Sequence, residues 1–220
     1  ASYSRPHSPF TAPGRYLRRY RDRVPPIDLA ADFKQLLDPY SRRLYEGETG
    51  GDLEPEQSLR AREAYYACVD FVDDCIGELL TGLEKAGLLD NTIVIYTSDH
   101  GEMAGIHGLW GKCVPYDPSI GVPLLMSGPG IAAGPHRVQH PVSLMDLFPT
   151  TCRLAGLPEP AGLDGVNQTA VLARPNTPAA PRTYAPSTYL AYGVRVRGGA
   201  RLPEDEPACA MRAVRSRTWK

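Results

Sequence analysis

The 220-residue sequence predicts an α/β fold, with a mostly parallel sheet between helices and a small antiparallel sheet near the C-terminus. Three observations lead there. An apolar stripe at three- and four-residue steps runs through residues 58–86 and marks a long helix. That helix feeds Thr92-Ile93-Val94-Ile95-Tyr96, a short β-branched run that reads as a buried strand. A long helix leading into a buried strand is half of a parallel crossover unit. Near the end, strand-like Thr188–Val196 and Met211–Arg215 flank Gly198-Gly199 and Pro203–Pro207, a pattern of antiparallel pairing.

The chain in order supports this outline. His7 stands between Pro6 and Pro9, which exclude a helix and hold the backbone extended. Arg15-Tyr16-Leu17-Arg18-Arg19-Tyr20-Arg21 is a basic, aromatic run that reads as a solvated helical turn rather than a nucleic-acid surface. Residues 24–56 carry Val-Pro-Pro, Gly-Glu-Thr-Gly-Gly-Asp and Glu-Pro-Glu, and are expected to drape irregularly over the fold. In the long helix, Tyr65, Val69, Val72, Ile76, Leu79, Leu80 and Leu83 make the stripe. Asp70, Asp73, Asp74, Glu78 and Glu84 fall between them as a solvated face, and Gly87 supplies the stop. Val122–Met126 is a second short strand, ended by Ser127-Gly128-Pro129-Gly130. Residues 142–156 read as a helix that Pro149 kinks or subdivides. Residues 158–185 form a Pro- and Ala-rich connection around a helical patch near Thr169–Leu172, where Asn167-Gln168-Thr169 also fits a glycosylation sequon.

Composition narrows the function classes. Lys and Arg number 24 against 25 Asp and Glu, so no charge excess points to nucleic acid. No apolar run approaches the ~20 residues of a membrane span. The five cysteines lack CxxC spacing and are odd in number, which suggests buried free thiols rather than a zinc knuckle or a disulfide set. The chain opens on ASYSRPHSPF without Met, so localisation is left open, with only a lean to the bacterial cytoplasm.

The chemistry concentrates in Asn91–Lys112. Beyond the first strand comes a loop carrying Asp99, His100, Glu102, His107 and Lys112 among four glycines. In open α/β sheets ligands sit beyond the carboxyl ends of the strands, where a polar glycine-rich loop builds a site. A lone Asp-His pair would read as surface; a carboxylate, two imidazoles and an ammonium in one loop read as a site.

These stretches resemble the sulfatase family of the alkaline phosphatase superfamily, specifically its C-terminal portion. The resemblance is carried by His7-Ser8-Pro9-Phe10, Tyr65–Gly87, Thr92–Lys112, Ser119–Pro129 and Val142–Pro158, in that order. Arg212-Ala213-Val214-Arg215 with Trp219-Lys220 resembles the usual ending. It implies an alkaline-phosphatase-like sandwich present only as a C-terminal part. Residues 1–172 would be the C-terminal half of the catalytic domain and residues 173–220 an incomplete subdomain. It also implies roles. Asp99 and His100 match the second pair of metal ligands, in the Ser-Asp-His form similar to choline-sulfatases and phosphonate monoester hydrolases. Lys112 matches the lysine that contacts sulfate oxygens, His7 the histidine near the leaving-group oxygen, and His107 a recurrent position of supporting role. The implied cofactor is a divalent metal, Ca²⁺, Mn²⁺ or Mg²⁺, and the implied partner a small-molecule sulfate ester; a homo-oligomer is compatible with this reading.

The sequence departs from the family in places. The nucleophile expected there is a formylglycine made within Cys/Ser-x-Pro/Ala-x-Arg; neither Cys68, followed by Val-Asp-Phe, nor Cys75, followed by Ile-Gly-Glu, has that context. The first Asp-Asp metal pair is missing as well. Ile106 stands where an acidic residue is common, and Gly121 where Arg is frequent. The expectation is a metal-dependent sulfuric ester hydrolase that does not turn over as these 220 residues alone. Phosphonate or phosphate ester hydrolysis and a non-catalytic remnant stay open as alternatives.

Overall fold

The computed structural model describes residues 1–27, 29, 33–46, 53–175, 182–191 and 209–216. After an irregular start come α1 (Gly14–Tyr20), α2 (Phe33–Leu36), α3 (Pro39–Glu46) and α4 (Pro55–Lys85). Strand β1 (Val94–Thr97) follows, then the single-turn α5 (Asp117–Ile120) and β2 (Leu124–Ser127). Helices α6 (Leu147–Leu154) and α7 (Thr169–Ala173) precede β3 (Tyr184–Ala191) and β4 (Cys209–Ser216).

Helix α4 is 31 residues long because both its ends are chemically marked. Glu54 caps it with a reciprocal box, its backbone N–H donating to Gln57 Oε1 at 3.2 Å, and Pro55 opens the first turn. At the other end Gly87 takes a left-handed φ of 67°, and the N–H of Leu88 reaches the Leu83 carbonyl at 3.0 Å. The acidic flank expected to be solvated is partly covered by α1. Tyr16 and Tyr20 pack against Phe71 and Tyr66 with tilted rings, Tyr16 donates to Asp74 at 2.7 Å, and Arg19 pairs with Asp70 at 2.9 Å. The basic run is therefore an intramolecular partner of α4, drawn there by opposite charge and aromatic packing.

The first sheet differs from the parallel arrangement expected. Strands β1 and β2 pair antiparallel, with Thr97 opposite Leu124 and Val94 opposite Ser127. The connection between them folds back on itself instead of crossing over. Gly101 N–H donates to Ser119 O at 2.7 Å and Met103 N–H to Gly111 O at 2.8 Å, which returns the chain to the end of β1 that it left. Nor is β1 buried on all sides: Tyr96 is 38% exposed, and Leu125 opposite it 60%. The α/β class itself stands.

Residues 24–56, expected to be irregular, contain two short helices in their described part. Leu37 and Tyr45 join Met103, Leu109 and Val114 of the β1–β2 connection in a buried cluster. Gly108, at φ 68°, lets this happen, since a Cβ there would lie 2.7 Å from the Tyr45 ring. Residues 142–156 subdivide as Pro149 predicts: a 3-10 turn at Leu144–Asp146 precedes α6, where Pro149 falls in the first turn and needs no donor. The buried Asp146 carboxylate then gathers the C-terminal part, accepting from Ser143 N at 3.0 Å, Val166 N at 2.8 Å, Gln168 Nε2 at 3.0 Å and Arg182 Nη2 at 2.7 Å. Strands β3 and β4 form an antiparallel pair, Tyr184 opposite Ser216. The expected continuation to Val196, the turn residues of 198–207 and the terminal Trp219-Lys220 lie outside the described residues. No helix among the described residues is long and apolar enough to cross a membrane.

Candidate active site

Strand β1 ends at Thr97 and delivers Ser98, Asp99 and His100 to the rim of an open groove of about 980 Å³. Tyr65, Val72 and Ile76 of α4 line its wall, and His7 closes the near end. The His100 ring is oriented by its backbone: Nδ1 lies 2.8 Å from the Gly101 carbonyl, which can only accept, so Nδ1 carries the proton and Nε2 presents a lone pair. That Nε2 lies 3.7 Å from Asp99 Oδ2. Two ligands at roughly 2.1 Å from one ion stand about 3.0 to 3.7 Å apart at angles between about 90° and 120°, so the pair fits a shared divalent cation. Asp99 is 85% exposed at its side chain, open to further ligands. Burial pushes its carboxyl up, but the His100 ring, nearby backbone N–H groups and the Ser98 hydroxyl outweigh this and hold it below the ordinary carboxylate value. Among the described residues no group of three or more His, Cys, Asp or Glu suited to a metal occurs, so Asp99 and His100 stand there as two candidate ligands.

Lys112 and His7 are 105 residues apart, yet Lys112 Nζ lies 2.6 Å from His7 Nε2. His7 Nδ1 donates to the Ser8 carbonyl at 2.8 Å, which leaves Nε2 as the acceptor of the lysine ammonium. The His7 and His100 rings meet edge-on with centroids 5.8 Å apart. The structure thus brings together His7, Asp99, His100 and Lys112. His107 is elsewhere: it sits exposed at a left-handed φ of 56°, its ring 5.0 Å from that of Tyr116.

Two residues assigned no role from the sequence, Glu102 of the polar loop and Ser119, help build this site. Glu102 Oε1 accepts from Ala104 N at 3.1 Å and Gly111 N at 2.5 Å, and the Ser119 hydroxyl donates to the Lys112 carbonyl. The one available signal was a carboxylate inside a glycine-rich loop. Cys113-Val114-Pro115 also begins like the nucleophile motif, but Asp117 stands where Arg is required and bonds to Arg215.

Comparison with known proteins gives the family. A sequence model of the family described as Sulfatase matches residues 1–157. The choline-sulfatase of Rhizobium meliloti (strain 1021) is 35% identical over 161 residues, 71% of this chain and 31% of that protein. An uncharacterised Escherichia coli (strain K12) sulfatase, YidJ, is 39% identical over 172 residues, covering 77% of this chain and 34% of its own length. Among solved structures, a phosphonate monoester hydrolase from Silicibacter pomeroyi superimposes with a TM-score of 0.82 at 28% identity, covering 96% of this chain and 44% of that one. The chain therefore spans about a third of the length of these two curated relatives, 31% and 34%. With a family match over most of its length and an alkaline-phosphatase-like fold shared with solved members, the chain belongs to the sulfatase family.

Proposed function

We propose that this chain carries the metal-binding and anion-binding part of a hydrolase of sulfate monoesters. The observation that carries this reading is the meeting of Lys112 Nζ and His7 Nε2 at 2.6 Å beside the Asp99-His100 pair. A sulfate monoester spreads negative charge over its nonbridging oxygens, and its leaving oxygen gains charge as the S–O bond breaks. Asp99 Oδ2 and His100 Nε2 would hold a divalent cation, which when bound acts as a Lewis acid on that charge. Asp99 suits a hard cation such as Ca²⁺, Mg²⁺ or Mn²⁺, and the imidazole shifts preference toward Mn²⁺. Lys112 adds a point charge for the sulfate oxygens. His7, with Nδ1–H committed to Ser8, would as an imidazolium donate its Nε2 proton to the leaving oxygen, while Lys112 keeps its charge for the sulfate oxygens.

The complete Cys/Ser-x-Pro/Ala-x-Arg motif does not occur in these 220 residues, so the nucleophile is not supplied by them. The test has two arms, both with 4-nitrophenyl sulfate and Mn²⁺. The 220-residue chain alone is expected to show no turnover above its His100→Ala variant. A chimera in which residues 1–157 replace the matching segment of the Rhizobium meliloti choline-sulfatase is expected to hydrolyse the ester and to lose activity with His100→Ala or Lys112→Ala. A folded chimera indifferent to both substitutions refutes the reading. Phosphonate ester hydrolysis is the second reading, favoured by the fold match to the Silicibacter pomeroyi enzyme. A chimera preferring a phenylphosphonate ester to the sulfate would select it.

A further inference from the structure

Lys112 sits on a loop, yet its backbone is tied on both sides. The carbonyl of Gly111, which belongs to the peptide plane before the Lys112 Cα, accepts from Met103 N at 2.8 Å. The carbonyl of Lys112, in the plane after it, accepts from Val114 N at 2.7 Å and from the buried Ser119 hydroxyl. Only two soft dihedrals separate these planes, so fixing both planes fixes the direction in which the lysine leaves the chain. One step back, the Gly111 N–H is held by Glu102 Oε1 at 2.5 Å, and the same oxygen holds Ala104 N. The ties lead back to the metal pair. The Ser119 carbonyl accepts from Gly101 N at 2.7 Å, next to His100, and Glu102 follows Gly101 directly. A Cβ on Gly101 would lie 2.0 Å from Pro118 O, which shows how tightly the two segments are pressed together.

We propose that Glu102 and Ser119 are positioning residues that hold Lys112 at a set reach from the Asp99-His100 pair, so that its ammonium meets His7. Glu102 acts through the acceptor capacity of one oxygen, not through its charge. Ser119 acts as a two-way link, its carbonyl bound to the metal-ligand segment and its hydroxyl to Lys112. A glycine-rich loop has little stiffness of its own, and a long lysine stem ranges widely unless its backbone is fixed. The importance given to this placement rests on the role proposed above for Lys112.

The readout is the ¹⁵N spectrum of the His7 ring in the 220-residue protein, which reports the Lys112 contact without needing catalysis. Lys112→Met defines the Nε2 signal without its donor. Glu102→Ala and Ser119→Ala are each expected to move Nε2 most of the way to that value while far-UV circular dichroism stays unchanged. Glu102→Gln is expected to stay at the wild-type value, because its amide oxygen still accepts both N–H groups. The proposal is overturned if either alanine variant leaves His7 at the wild-type value, or if Glu102→Gln moves as far as Glu102→Ala. It is overturned equally if Lys112→Met leaves His7 unmoved. An inactive chimera would refute the sulfatase reading and leave these spectra untouched, so the two failures are distinguishable.

Discussion

Asp146→Ala removes the carboxylate that anchors the C-terminal part of the chain. Asp146 is 1% exposed and accepts from Ser143 N, Val166 N and Gln168 Nε2, while pairing with an Arg182 side chain that is itself 11% exposed. The substitution leaves two partly buried backbone donors and a buried amide unpaired, at about 1 kcal/mol or more each. It also strips the counter-ion from a largely buried guanidinium, and breaking a buried pair from one side costs about 3 to 5 kcal/mol. These costs overlap, because water reaches some of the donors once the carboxylate is gone. A total of about 4 kcal/mol is expected, or about a thousandfold in the folding constant. Arg182→Met should cost less, about 2 kcal/mol, because Asp146 keeps its three other donors and the apolar stem is retained. Urea unfolding followed by tryptophan fluorescence and circular dichroism measures both. A loss below about 1 kcal/mol for Asp146→Ala, with the slope unchanged, would refute the reasoning.

Other perturbations follow the same logic. Burial pushes the Asp146 carboxyl up, but Arg182 and the Ser143 and Val166 N–H groups hold it below the ordinary carboxylate value. Its stabilisation is therefore present above the unfolded value of about 3.9 and is lost as pH falls through the folded one. The stability gap between wild type and Asp146→Ala should be full at neutral pH and shrink below about pH 4 in parallel urea titrations. Gly87→Ala forces a Cβ into a left-handed φ of 67° with no steric neighbour, so it should cost about 1 kcal/mol from backbone strain alone. Tyr16→Phe removes the hydroxyl that donates to Asp74 and should destabilise by about 1 kcal/mol, measured in the same way.

The positions of the elements were legible because they rest on local signals. The stripe of α4, its stop at Gly87, the two short strands and the break at Pro149 all follow from periodicity and turn residues. The sense of the β1–β2 pairing was not legible, since long-range bonds from Gly101 to Ser119 and from Met103 to Gly111 decide it, and no periodicity encodes them. The pairing of Arg19 with Asp70 was hidden for the same reason: each run alone looks like a solvated face. At the site, Asp99 and His100 stood out by following a strand. That His7 approaches Lys112 is a matter of tertiary placement, and only family resemblance pointed to it. Glu102 was visible as a residue but not as a clamp, because the N–H groups it holds converge only once the loop has folded.

Asp99 and His100 are proposed above as one half of a metal site facing His7 and Lys112. Titrating the ¹⁵N-labelled chain with Mn²⁺ tests it most directly, because paramagnetic broadening marks the residues nearest the ion. Asp99, His100, Gly101 and His7 are expected to broaden first, and Asp99→Asn or His100→Ala to abolish this pattern. Broadening centred instead on the acidic flank of α4, at Asp70, Asp73 and Asp74, and indifferent to both substitutions would contradict it.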